Sequence, residues 1–427
     1  MRASRYNIAS QPLNGERALF NTATGNLAFV TNREYENILS GIVSDPEFVK
    51  LGYIVPDHLD EIKVAIDRRA SVRARPRRAL SVTIVPTLRC NFSCGYCYNG
   101  VNHKSGDAGA SFKGAFKYIK NELASGEPLH VTWYGGEPTL QLDEILSQSV
   151  DLKELCSARG SHFSCDLLTN GSTLNEKQCA KLVELPLTDI QVSIDWPIEK
   201  SERQKGRLSA HATLDDVLKR TALIPQSIPL VYRINVMPGF LATFDRLLTQ
   251  MKASVGRPHW AYIHRLFPSN DPSLNSEASG EMRFPDIVEF YREYAAARKI
   301  LRDFGYSQEF FPQEPDTGYC IAQNSRDIIF DGAGDAKKCV REIEGPAARI
   351  DLDTGHYNDR GAAYMNSEVT SSDGCYKCTF MPLCHSGCPK DKYEHPSAVL
   401  ERCTPWKFIL PNELTSFLQI NLTQNEG

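Results

Sequence analysis

The chain has 427 residues, a formal net charge of −4, and 41% hydrophobic and 23% charged residues. That length supplies two or three domains and ample material for a core, and the near-neutral balance gives no argument for nucleic acid or a membrane as partner. The opening residues Met1-Arg2-Ala3-Ser4-Arg5-Tyr6 lack an apolar signal region and no stretch is long and apolar enough to span a bilayer, so the thirteen cysteines read as metal ligands in a reducing cytoplasm rather than as disulfides.

Residues 1–75 read as a small separate unit. Ala18-Leu19-Phe20-Asn21-Thr22 and Asn26-Leu27-Ala28-Phe29-Val30 are short strands around Ala23-Thr24-Gly25, a hairpin signal. Thr31-x-x-Glu34 predicts a capping box opening a helix with Tyr35, Ile38 and Leu39 on one face. A second helix is predicted from about Asp57, with Leu59, Ile62 and Ile66 at helical spacing. Arg68, Arg69, Arg73, Arg75, Arg77 and Arg78 then crowd a segment broken by Pro76. Two readings stand: a solvated interdomain linker, or a dock for an acidic peptide.

From Ala79 to Phe304 strand and helix signals alternate. Strands are predicted at Leu80–Pro86, Leu129–Tyr134, Cys165–Thr169, Ile190–Ile194, Leu230–Val236 and Trp260–Leu266. Helices are predicted at Phe112–Leu123, Leu140–Ser157, Leu174–Leu185, Leu214–Ile224, Phe240–Val255 and Ile287–Leu301. Six βα repeats imply a parallel sheet over residues 76–305, and chemistry in such folds sits at the C-terminal ends of strands. Cys90, Cys94 and Cys97 follow the first strand at C-x3-C-x2-C spacing. A four-iron cube needs one ligand per iron, so three thiolates leave one iron open. A structural zinc site would want four protein ligands. The second strand ends in Gly135-Gly136-Glu137-Pro138, the third in Thr169-Asn170-Gly171 and the fourth in Ser193-Ile194-Asp195. The two glycines allow close backbone approach to a ligand, and Glu137 can accept from an ammonium group. Cys156, Cys165 and Cys179 fall among apolar residues and read as buried small hydrophobes.

The triad, with Tyr96 before its third cysteine, resembles the radical S-adenosylmethionine (SAM) superfamily. The resemblance implies a three-quarter barrel, SAM chelated on the open iron, and reductive cleavage of SAM to a 5′-deoxyadenosyl radical. It makes Tyr96, Gly135, Gly136, Glu137, Asn170, Ser193 and Arg233 the candidate SAM contacts. The usual Asp-Gly after the fourth strand is replaced by Asp195-Trp196. The N-terminal hairpin-plus-helices order resembles winged-helix leader-recognition domains, which capture an extended peptide as an added strand. A merely structural cap is the competing reading.

Residues 306–427 carry Cys320, then Gly334-x4-Cys339, then Cys375-x2-Cys378-x5-Cys384-x3-Cys388, and Cys403. This resembles the SPASM extension of radical SAM peptide-modifying enzymes, which implies two auxiliary clusters and three 4Fe–4S clusters in all. By that resemblance Cys375, Cys378, Cys384 and Cys403 hold the outer one. Cys320, Cys339 and Cys388 hold the inner one, with its fourth iron site open. A pair of zinc knuckles is the alternative, and His385 reads as a surface residue.

The fold class expected is therefore α/β: a partial (β/α)6 radical SAM barrel with an N-terminal winged-helix-like unit and a C-terminal iron–sulfur SPASM domain. The function expected is radical crosslinking, carbon–carbon, ether or thioether, within a ribosomally made precursor peptide that bears a leader. A low-potential flavodoxin- or ferredoxin-type protein would supply electrons. The alternatives are an anaerobic sulfatase maturase and a zinc-stabilised binding protein. Against the sulfatase maturase, that family has an aspartate base directly after the second SPASM cysteine, where Val340 stands here, and an extra cysteine missing between Cys320 and Cys339.

Overall fold

The computed structural model describes the chain apart from residues 44, 75–78, 93, 95, 100–107, 198–212, 258, 267–285, 307–309, 313–319, 343–346, 371–373 and 426–427. Its residues fall into two units: Met1–Pro76 with Gln308–Gln323 and Asn366–Gly427, and Arg77–Ser307 with Asn324–Met365. The N-terminal stretch forms β1 (Arg2–Ala3), β2 (Asn7–Ala9), β3 (Glu16–Asn21), β4 (Leu27–Thr31), α1 (Asn32–Leu39), α2 (Glu47–Lys50), β5 (Ile54–Val55) and α3 (Glu61–Ala74). Strands β2, β3 and β4 make an antiparallel sheet, and β1 pairs with β5. The predicted capping box is present: Glu34 N–H donates to the Thr31 hydroxyl at 3.2 Å, and Thr31 N–H donates to the Glu34 carboxylate at 2.8 Å.

The second unit is the barrel sheet. Strands β6 (Leu80–Thr87), β7 (Leu129–Gly135), β8 (Phe163–Thr169), β9 (Leu187–Trp196), β10 (Leu230–Val236) and β11 (Trp260–Arg265) lie side by side in chain order, all parallel. Helices α4 (Ala108–Glu122), α5 (Leu142–Ala158), α6 (Glu176–Lys181), α7 (Leu214–Thr221), α8 (Phe244–Val255) and α9 (Ile287–Asp303) follow the six strands in turn. One face of each strand is mainly apolar, such as Val131 and Trp133 on β7 or Ile190, Val192 and Ile194 on β9. The opposite face carries Tyr134, Leu168, Gln191, Ser193 and Arg233, only partly buried, which is where a ligand can be met.

The sheet continues beyond the six repeats. β12 (Ile328–Phe330) adds in parallel to β6, and β13 (Ala336–Lys337) returns antiparallel to it. Residues 324–365, which end in α10 (Asp359–Met365), thus belong with the barrel and not with the C-terminal domain to which the sequence assigned them. The physical reason is that Ile328, Ile329 and Phe330 are all fully buried, and only a paired, two-faced position satisfies such a run. Gly334, at φ +84°, turns the hairpin where a Cβ would stand 2.7 Å from the Ala110 carbonyl oxygen of α4.

The N-terminal sheet does not stand alone either. The chain ends in α11 (Met381–Cys384), α12 (Pro389–Glu394) and α13 (Trp406–Asn425), all in the first unit. Successive residues Ala18, Leu19 and Phe20 of β3 are each 0% exposed, so both faces of the strand are covered. Leu19 packs with Val30, Ile38 and Tyr53, while Ala18 and Phe20 pack with Leu410, Leu414 and Leu418 of α13. Two of the crowded arginines bond within this unit, one of them buried. Arg69 is buried, donates to the Gln323 side-chain oxygen at 3.1 Å and pairs with Glu368 at 3.6 Å, and Arg68 donates to the Ala23 carbonyl at 2.6 Å. Arg69 is therefore neither part of a solvated linker nor free to dock a peptide, whereas Arg68 stays exposed on α3. Arg75, Arg77 and Arg78, with the Arg73 side chain, lie outside the described residues.

Candidate active site

The cysteine triad leaves the C-terminal end of β6, and Cys97 N–H donates to the Cys94 carbonyl at 3.0 Å to close its last turn. A cavity of about 160 Å³ opens there, at the ends of β6 to β10. Its walls bring together Cys90, Cys94, Cys97 and Tyr96 with Gly135, Gly136, Asn170, Ser193 and Arg233, residues far apart in the chain. Ser193 and Arg233 face it from directly paired positions on β9 and β10.

The two glycines are demanded first by the protein itself. Gly135 sits at φ +138°, and a Cβ there would lie 2.4 Å from the Thr87 carbonyl oxygen. At Gly136 it would lie 2.3 Å from the Arg89 carbonyl oxygen. Gly136 and Glu137 N–H groups donate to the Thr87 and Arg89 carbonyls, each at 2.9 Å. The end of β7 is therefore zipped against the exit of β6, and this sets the base of the cysteine loop.

Glu137 differs from expectation. Its carboxylate is fully buried and does not line the cavity. One oxygen accepts from the Thr139 N–H at 3.1 Å, the Thr139 hydroxyl and the Thr169 hydroxyl, and the other from the Asn170 N–H at 2.7 Å. A buried carboxylate needs such donors, and four of them leave it turned inward. Burial still pushes its pKa up, against those hydrogen bonds. Glu137 thus ties the ends of β7 and β8 together instead of facing a ligand's ammonium group.

Further residues line the cavity or hold its walls from behind. The Tyr96 hydroxyl donates to Asp195 at 2.5 Å, and Asn235 donates to the other Asp195 oxygen at 3.0 Å. Burial, followed by the Asp195 charge, holds the Tyr96 pKa well above its ordinary value, so the phenol keeps its proton. Asp195 is itself buried and anchors Tyr96. His264 beside Arg233 is pushed down to about 3 by burial and by Arg233 and Arg341, and stays neutral. Tyr134 and Asn235 line the cavity, with Asp195 and His264 behind them. The only sequence signal for these residues was their place near the ends of predicted strands.

The donor set fits an iron–sulfur cluster. Burial pushes the Cys90 thiol up to about 11, partly opposed by the Phe92 N–H. A thiolate kept there needs positive charge beside it, which iron supplies. In the first unit the Cys384 thiol is pushed up to about 12 by burial and then by neighbouring Cys375, Cys378 and Cys403. Cys375, Cys378 and Cys403 thus each lie close enough to Cys384 to act on its charge. Gly387 lets that loop close: a Cβ would lie 1.9 Å from the Arg402 carbonyl oxygen, next to Cys403. Of the inner set, Cys320 and Cys388 belong to the first unit and Cys339 to the second. His385 is buried, 4% exposed, at φ 45°, and is not the surface residue expected from its position. Cys156, Cys165 and Cys179 are buried in the second unit, in line with their reading as small hydrophobes.

Residues 84–243 match the family model of the Radical SAM superfamily. Protein MJ0907 of Methanocaldococcus jannaschii is 26% identical over 307 residues, covering 69% of this chain and 94% of that protein. Among solved structures, the fold is similar to anSMEcpe with bound AdoMet, at 17% identity and a TM-score of 0.59 over 81% of this chain and 96% of that one. It is also similar to Streptococcus suis SuiB bound to precursor peptide SuiA, at 12% identity and a TM-score of 0.53 over 95% of this chain and 99% of that one.

Proposed function

For a chain that carries a radical SAM domain and is an enzyme, we propose a substrate and an outcome: a ribosomally made precursor peptide, in which an intrapeptide crosslink is installed. When bound, a 4Fe–4S cluster and SAM supply a carbon-centred radical able to take hydrogen from an unactivated C–H bond. The chain's own part is to hold and orient. Cys90, Cys94 and Cys97 would hold the cluster. Gly135, Gly136, Ser193 and Arg233 would bound the SAM site, with the Arg233 cation suited to a carboxylate. Tyr96, fixed by Asp195, closes the wall behind the triad. Cys375, Cys378, Cys384 and Cys403 would carry an outer auxiliary cluster. A small low-potential electron-transfer protein in the cytoplasm would be the reductant.

The observation that carries the peptide reading is the N-terminal sheet and its helices, a module of the kind expected for leader capture. The likeness to peptide-bound SuiB, which spans 95% of the chain, supports it. A second reading is favoured by the likeness to anSMEcpe: formylglycine formation on a sulfatase. Against it, Val340 follows Cys339, and valine cannot accept a proton. The test is anaerobic incubation of the reconstituted enzyme with a candidate precursor peptide, read by tandem mass spectrometry. Loss of two hydrogens with fragmentation blocked between two residues supports the crosslink. A product that reacts with a hydrazine, as an aldehyde does, would replace it with formylglycine formation.

A further inference from the structure

We infer that Asn170 is a positioning residue for Cys90: its side-chain amide donates a hydrogen bond to the sulfur and so sets the reduction potential of the cluster which that thiolate would hold. The inference rests on the radical SAM reading of the site.

The orientation of the Asn170 amide is fixed by its surroundings. Its oxygen accepts from the Ser172 backbone N–H at 2.9 Å and from the Ser172 hydroxyl at 2.5 Å. A backbone N–H can only donate, so the other end of the amide must be the NH2 group. That group lies 2.9 Å from the Asn91 side-chain oxygen and 3.8 Å from Cys90 Sγ. Its two hydrogens therefore have two acceptors, one of them the sulfur. Asn91 is in turn held by its own donation to Ser172 Oγ at 2.7 Å. The Asn170 backbone is pinned by the Glu137 carboxylate, so the donor arrives on a rigid strand end.

Cys90 Sγ also accepts from the Phe92 N–H at 3.4 Å, so it receives two hydrogen bonds. Hydrogen bonds to a cluster sulfur stabilise the extra electron of the reduced state and raise its potential. This gives the third strand's Asn-Gly end a task other than contacting SAM, namely making the cluster easier to reduce.

The test uses the full chain, anaerobically reconstituted, with the reduction potential of the triad's cluster measured by electron paramagnetic resonance without SAM. Asn170→Leu removes the donor at similar size. Asn170→Asp keeps an acceptor for Ser172 but turns an oxygen towards the sulfur. Both should load iron as the wild type does and shift the potential to more negative values, Asn170→Asp further. An unchanged potential in iron-loaded variants overturns the inference, and so does weaker SAM binding with the potential unmoved, which would make Asn170 a SAM contact. Loss of iron from both variants with circular dichroism preserved also overturns it, since the residue would then only hold the loop. A wild type with no reducible cluster would instead overturn the radical SAM reading itself.

Discussion

At the scale of single residues, the site's requirements are steric as much as chemical. Cys90→Ala, Cys94→Ala and Cys97→Ala should each abolish SAM cleavage, measured as 5′-deoxyadenosine formed under anaerobic reduction, because three thiolates are the fewest that hold the cube with one iron open. Gly136→Ala tests the zip between β6 and β7. Its methyl would fall 2.3 Å from the Arg89 and 2.5 Å from the Leu88 carbonyl oxygens, with no flexible side chain to give way. We expect a loss of about 1–3 kcal/mol in denaturant unfolding, the usual range for overpacking, and a smaller iron load. Wild-type stability in this variant would refute the close approach. The cysteine spacing and the glycine pair were plain in the sequence. The inward turn of Glu137 was not, because its donors Thr169 and Asn170 stand on the neighbouring strand and become its partners only once β7 and β8 align.

At the scale of elements, the alternation of strand and helix was legible because each apolar strand is followed by a segment with helical spacing. The six predicted strands all form, with ends displaced by a few residues. What the pattern hid was the polar face. His130 of β7 lies 3.5 Å from Asp166 of β8, and its ring also meets the Ser164 hydroxyl at 3.0 Å. The Asp166 interaction raises the His130 pKa. A group whose folded pKa is raised stabilises fully below its unfolded pKa and loses that contribution as pH rises through the folded value. His130→Asn should therefore cost stability at about pH 6 and progressively less above the ordinary histidine range, as followed by urea midpoints. A difference that does not vary with pH would show that the pair contributes no charge term. The same scale hides β12, whose short apolar run offered no periodicity to separate strand from loop.

At the scale of the whole molecule, the first unit is assembled from both ends of the sequence. The sequence signalled a hairpin strand at Ala18-Leu19-Phe20, but nothing local showed that both its faces are covered or identified α13 as the cover. Leu414 is 0% exposed within that contact, so Leu414→Ala should cost about 2–5 kcal/mol and weaken hydrogen-exchange protection of β3. Unchanged protection there would mean that the sheet is stable without the helix. Deleting residues 1–75 is consequently a poor probe of leader binding, since it strips the apolar face of α13. Exposed-face substitutions on β4 are the better one. Cys384→Ala should lose part of the bound iron and leave the Cys90, Cys94 and Cys97 set loaded, read as iron per chain together with SAM cleavage.

Because β3 is sealed by α13, the order of synthesis matters. Ala18 and Phe20 emerge from the ribosome long before their cover, Leu410 to Leu418, which follows every barrel strand in the chain. Until that segment is made the nascent sheet keeps one apolar face open to water, a surface that chaperones bind and that aggregates if left unattended. A frameshift or stop codon shortly before residue 406 would leave every barrel strand and every candidate cluster cysteine in place. Its product would still carry that open face, and cellular quality control would remove it as a misfolded protein before its chemistry could be measured.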